Sequence, residues 1–161
     1  MYSQIETLVK SWFVDFEPFG GEKPYDWKEV SLSDIADFIG GYSYKGSELV
    51  ESAKTGMATI KNFNRSGGFK LDGFKPIEPS PKLKTSQHVE LFDTLVAHTD
   101  LTQNADVIGN AELVLSRAGF EDLVYSMDLV KVIPKNSGIS KFLLAALLKS
   151  SSFKQHCLGY V

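Results

Sequence analysis

The 161-residue chain is 43% hydrophobic, enough for one globular domain with a sizeable core. Its single cysteine, Cys157, excludes an internal disulfide and fits a reducing compartment, and its longest apolar run, FLLAALL at 142–148, is too short to span a bilayer. The net charge of −3 argues mildly against a nucleic-acid binder, and a start without a charged-then-apolar leader leads us to expect a cytoplasmic, non-membrane protein.

The first predicted element is IETLVKSWFVDF, residues 5–16. Ile5, Leu8, Val9, Trp12, Phe13 and Phe16 recur at the spacing of one helix face. The helix stops in EPFGGEKPYDW, whose two prolines and Gly-Gly pair cannot continue it. Its aromatic-rich stripe needs a partner, either the rest of the domain or another helix, through Ile5, Leu8, Trp12 and Phe13. WKEVSL then reads as a short alternating strand, and SLSDIADFIGG as one helical turn capped by Ser31 or Ser33. GYSYKGSE is a loop and GMATIKN a strand. The segment from Asn62 to about Ser86 reads as a long, nearly structureless connection that includes PIEPSPK.

Strand character resumes in HVELFDTLVAH, followed by the polar loop TDLTQNAD. VIGNAELVL and LVYSMDLVKVIP supply two or three further strands. ISKFLLAALLKSSSFKQHCL reads as one helix, with Ile139, Leu143, Leu147 and Leu148 on a common face. Short strands, long loops and bracketing helices predict an α+β domain: a curved, mainly antiparallel or mixed sheet, an N-terminal amphipathic helix and a C-terminal helix. No regular βαβ alternation occurs, which argues against a doubly wound fold.

The chain shows no catalytic signature. It has neither a G-x-G-x-x-G nor a Walker A loop, and GGYSYKGS holds glycine and lysine in the wrong order. His88, His98 and His156 are too widely spaced for a ready metal motif, and Cys157 has no second cysteine to complete a zinc site. Asp100 lies near His98, but no serine stands in a nucleophile elbow. We expect no catalytic residues, no metal and no cofactor.

Charge is unevenly distributed. Residues 1–40 hold three bases and eight acids (−5), residues 41–88 eight bases and four acids (+4), and residues 89–161 six bases and eight acids (−2). Runs of this size are commonly just solvated faces. The basic middle nevertheless coincides with loops rich in hydrogen-bond donors: Tyr42, Tyr44 and Lys45 in the first, and Lys61, Asn62, Asn64, Arg65 and Lys70 in the second. A third loop adds Thr99, Thr102 and Gln103. Each loop can be an ordinary polar connection. Together they carry the groups that read duplex DNA: Arg and Lys for guanine edges, Asn and Gln for adenine, Ser, Thr and Lys for phosphates. Gly67 and Gly68 are expected to shape the backbone path rather than make contacts.

SWFVDFEPF, then WKEVSLSDIADFIGGYSYKG, MATIKNF, LFDTLVAHTDLTQNADVIGNAEL, SMDLVKVIP and FLLAALLKSSSFKQH together resemble a target recognition domain of a type I restriction–modification specificity (S) subunit. The resemblance covers nearly the whole chain, and SWFVDFEPF and LVAHTDLT carry it most specifically. It implies a non-catalytic module that reads one half of a bipartite double-stranded DNA target. In such subunits long helices set the distance between the halves and dock the modification (methyltransferase) and restriction subunits. On this view residues 1–16 are the end of a spacer helix and residues 17–161 the recognition domain. The chain departs from the family in holding one recognition domain, not two. It stops at Val161, where relatives continue through a glycine–threonine turn into the next spacer helix. A fragment, a truncated gene and a half-length subunit pairing with a second copy all fit that departure. Two rival readings stand beside this one: the recognition domain of a fused restriction–methyltransferase, and a protein-interaction domain that does not bind DNA.

Overall fold

The structure, a computed structural model, describes residues 4–100 and 104–160. The chain runs α1 (Gln4–Phe13), α2 (Leu32–Ile35), β1 (Ala36–Gly40), β2 (Thr55–Ala58), β3 (Lys75–Ile77), β4 (Thr94–Ala97), β5 (Ala111–Leu113), β6 (Asp122–Tyr125), β7 (Leu129–Pro134), α3 (Lys141–Leu148) and α4 (Ser151–Leu158). No helix among the described residues is long and apolar enough to cross a membrane.

The strands form two sheets. One is antiparallel, in the order β1-β7-β4-β5; the other, β3-β2-β6, pairs β2 antiparallel with β3 and parallel with β6. The α+β class with antiparallel and mixed sheets is as expected. Burial explains why the central strands are apolar throughout rather than alternating. In β4, Leu95 and Ala97 enter the cluster shared with Ala58, Leu123 and Tyr125 of the second sheet, while Val96 points the other way, to Leu144 and Leu148 of α3. A strand covered on both faces has no polar side to show. Lys131 of β7 is a charged residue inside this layer. It is buried, its Nζ donates to the His88 carbonyl at 2.6 Å, and burial pushes its pKa down.

Several expectations shift. The first helix ends at Phe13 rather than Phe16, because Phe16 adopts a left-handed backbone (φ 52°) and opens a 3-10 turn at Glu17–Phe19. WKEVSL forms no strand. Instead Trp27 serves as a hub for Phe13, Phe16 and Phe19, stacking on Phe13 with ring centroids 5.5 Å apart. The turn at Ser31 does form, closed by a capping box in which the Ser31 N–H donates to Asp34 at 3.0 Å, but it lasts only four residues. ADFIG, read as its continuation, becomes strand β1, because β7 offers it a full antiparallel register from Ala36↔Pro134 to Gly40↔Val130. The long connection after Asn62 is not structureless: KPI is strand β3 at the edge of its sheet, the position where a proline costs no ladder bond.

The single C-terminal helix is two. Lys149 caps α3, and the Ser150 hydroxyl then accepts from the Phe153 N–H to start α4. The buried face of α3 is Leu144, Ala145 and Leu148, whereas Leu143 is exposed.

Candidate nucleic-acid interface

The predicted loops leave the two sheets at one end. Their roots converge on the turn Ser126–Met127–Asp128 between β6 and β7. The Ser126 N–H donates to the Ala58 carbonyl (2.9 Å), the Met127 N–H to the Tyr42 carbonyl (3.0 Å), and the His98 N–H to the Asp128 carbonyl (3.1 Å). Side chains reinforce the junction: the Thr99 hydroxyl donates to Asp128 Oδ1 at 3.0 Å, and His98 Nε2 meets the Met127 carbonyl at 2.7 Å. Gly41 abuts the same turn so closely that a Cβ would lie 2.0 Å from the Ser126 carbonyl oxygen. Sequence reading missed this turn, although the alternation of LVYSMDLVKVIP, broken at SMD, marks it.

The second loop is a small hairpin. Phe63 pairs with Phe69, the Lys70 N–H donates to the Asn62 carbonyl, and the Asn64 N–H donates to the Gly68 carbonyl at 3.0 Å. Gly67 and Gly68 close it at φ 93° and 102°, values that side chains resist, which is the backbone role expected of them. Its aromatics turn inward. Phe63 is 4% exposed and starts an edge-to-face chain through Phe69 and Phe74 to Phe120, with successive centroids 5.6–5.9 Å apart. Lys61, Asn64, Arg65 and Lys70 are exposed and line a cleft along the hairpin, with Asp72 the acid among its lining residues.

Asn62 lies differently. It is 0% exposed, its Oδ1 accepting from the Thr59 N–H (2.8 Å) and its Nδ2 donating to the Lys70 carbonyl (2.7 Å). Tyr42 is likewise buried, at 3% exposure, and its hydroxyl bonds Glu48 and Ser80. These two side chains brace their loops instead of facing outward. Three hydrogen-bond donors hold Glu48 as a carboxylate, Tyr42 first and then the Lys45 N–H and Ser80, and its pKa falls to about 2. Tyr44 is half-buried beside Met57 and Ile77, Lys45 is exposed, and Thr99 is half-buried against Asp128. Thr102 and Gln103 lie outside the described residues.

Among the described residues no group of three or more His, Cys, Asp or Glu could hold a metal ion. The histidines have separate partners: Asp122 for His88, the Met127 carbonyl for His98, the Tyr160 ring for His156. Burial pushes the Cys157 thiol up, away from the reactive thiolate.

On α1, Ile5, Leu8 and Trp12 remain 45%, 60% and 45% exposed, while Val9 is buried and Phe13 half-buried under Trp27. The helix packs on α3 and still leaves part of its apolar stripe uncovered.

No protein-family model and no curated protein sequence matches the chain. Solved structures do. The chain superposes on the HsdS subunit from Thermoanaerobacter tengcongensis with a TM-score of 0.58 at 15% identity, over 95% of this chain and 33% of that one. It also superposes on a chain from a structure of the complex assembly and conformational transition of the type I R-M system, with a TM-score of 0.55 at 17% identity, over 94% and 35% of the respective chains. The fold is that of one part of a type I restriction–modification S subunit. The chain spans about a third of the length of the solved chains it matches. At this identity the likeness lies in the backbone path, and the side chains at the loop end are this chain's own.

Proposed function

We propose that this chain is a DNA target recognition domain of a type I restriction–modification specificity subunit. It reads one half of a bipartite duplex target and leaves methylation and cleavage to partner subunits. The observation that carries the reading is the exposed cationic hairpin, with Lys61, Asn64, Arg65 and Lys70 outward, on the loop end of an S-subunit fold. Lysine and arginine there neutralise phosphates, while Asn64 and Arg65 have the donor geometry for base edges. Lys45 and Thr99 belong to loops rooted at the same turn and extend the surface.

Residues 17–161 form the recognition domain on this reading, and residues 1–16 the end of a spacer helix. The outward stripe of Ile5, Leu8 and Trp12 would seat against a second spacer helix, from the other half of the subunit or a second copy, with the modification and restriction subunits docked beyond it. The protein needs no cofactor of its own and works in the cytoplasm.

Titration of the chain with duplex DNA tests the proposal. Binding should be measurable at about 50 mM salt and should fall with salt at about −0.9 in log–log slope per phosphate contacted. Replacing Lys61 and Arg65 together by Ala should weaken it by about tenfold or more and flatten the slope by about 2. No binding by the unaltered chain at low salt overturns the DNA reading. Unchanged affinity in the double variant removes the hairpin from it.

A further inference from the structure

The tip of the cationic hairpin is held from outside. The Gly68 N–H donates to Glu112 Oε1 at 2.7 Å, and Lys149 Nζ donates to Glu112 Oε2 at 2.6 Å. Glu112 lies on β5, its side chain 7% exposed, and Lys149 caps the C-terminus of α3, its side chain 30% exposed. A carboxylate this buried persists only when its charge is matched and its lone pairs are used, and here one oxygen serves the lysine and the other the hairpin backbone. A second set of bonds runs parallel to the first. Asn110 Nδ2 donates to the Asn64 carbonyl at 3.3 Å, Arg65 pairs with Asp106 at 3.6 Å, and Lys154 of α4 reaches the Asp106 carbonyl and Asn110 Oδ1 at 2.5 and 2.6 Å. Two lysines from the C-terminal helix pair thus grip the 106–112 segment, and that segment grips the hairpin.

We propose that Glu112, held by Lys149, is a positioning residue for DNA binding: it fixes the Gly67–Gly68 turn so that Lys61, Arg65 and Lys70 meet the duplex as a preformed set. The proposal rests on the DNA reading above and adds to it a residue that touches no DNA. An unbraced glycine turn samples many conformations, and DNA binding would then have to order it at a cost in affinity.

Elementary electrostatics and positioning predict opposite signs, which makes the test sharp. Glu112→Ala makes the chain one charge more basic beside the cationic cleft, so charge alone predicts tighter DNA binding. Positioning predicts weaker binding, by about tenfold for loss of a bond to a charged acceptor. Glu112→Gln, whose amide oxygen still accepts from Gly68, should lose about threefold. Affinity for a random 25-base-pair duplex at about 50 mM salt is measured on chains shown by circular dichroism to be folded. In the Lys61→Ala, Arg65→Ala background, adding Glu112→Ala should cost far less than its tenfold, because only Lys70 is left for the brace to act through. Amide exchange at Gly68 should quicken in Glu112→Ala.

Equal or tighter binding by Glu112→Ala, or full additivity with the hairpin double variant, overturns the proposal; if Glu112→Ala does not fold, equal or tighter binding by Glu112→Gln does so. Should the unaltered chain not bind DNA, the DNA reading and the DNA-positioning role fall together. Gly68 exchange then still shows whether Glu112 braces the turn.

Discussion

The loop 41–50 and the hairpin 59–74 both carry exposed donors and are held in opposite ways. The first is braced by charge: Glu48 takes the Tyr42 hydroxyl and the Lys45 and Ser80 N–H groups, on a half-exposed surface. The neck of the second is braced by a neutral amide, Asn62, sealed from water and bonded at both ends. In each loop one expected contact residue is the strut, Tyr42 in the first and Asn62 in the second, and lysines and an arginine are left facing out. A donor-rich loop must first satisfy its own backbone, and only the remaining donors are free for a ligand.

Three measurements would break or sharpen this contrast. The largest effect is expected at Asn62. Asn62→Ala leaves the buried Thr59 N–H without its acceptor and the Lys70 carbonyl with only the long bond from the Gly73 N–H (3.4 Å), and urea unfolding should show a loss of about 2 kcal/mol. A loss near zero would mean that the amide is no strut. Tyr42→Phe removes one donor to a water-accessible carboxylate but leaves the Ser80 N–H on Glu48 at 2.7 Å, so a smaller loss than at Asn62 is expected in the same assay. Equal losses at the two positions would erase the distinction between them.

The smallest effect is one of pH. The folded-state pKa of Glu48, about 2, lies below the ordinary 4.5, so its stabilisation is complete above pH 4.5 and disappears as pH falls toward 2. Melting curves across that window should flatten in Glu48→Gln relative to the parent chain. The group is accessible to water, so screening keeps the difference modest. Identical curves would show that Glu48 contributes nothing to the pH response.

Much of the fold was legible in the sequence where local and tertiary preferences agree. The helical turn capped at Ser31, the strands within LVYSMDLVKVIP and the apolar spacing of α1 each describe an element that its neighbours also favour. Illegible were the places where a partner decided the outcome. ADFIG is a strand because β7 lies beside it, and KPI is a strand in spite of Pro76 because it is an edge. Trp27 left a strand-like pattern for three phenylalanines. The SSS run at 150–152 held a cap that breaks one helix into two, a signal present in the sequence but outweighed by the apolar period.

The candidate site divides along the same line. Sequence composition gave the loops and their local positive charge. It could not separate Asn62 from Asn64, or Tyr42 from Lys45, because the inward or outward facing of a donor depends on which carbonyl the fold brings to it. Glu112 had no signal at all: it lies 44 residues from Gly68, within an ordinary short strand.

The junction at Ser126–Asp128 also bears on how such a domain can change. Its principal bonds run from main chain to main chain, and a main-chain bond is indifferent to the side chains that follow it. Substitution or exchange of residues beyond the roots leaves the junction chemically unaltered. The scaffold thus uncouples its shape from its outer surface: one turn of main-chain bonds holds the loop roots whatever side chains lie beyond them.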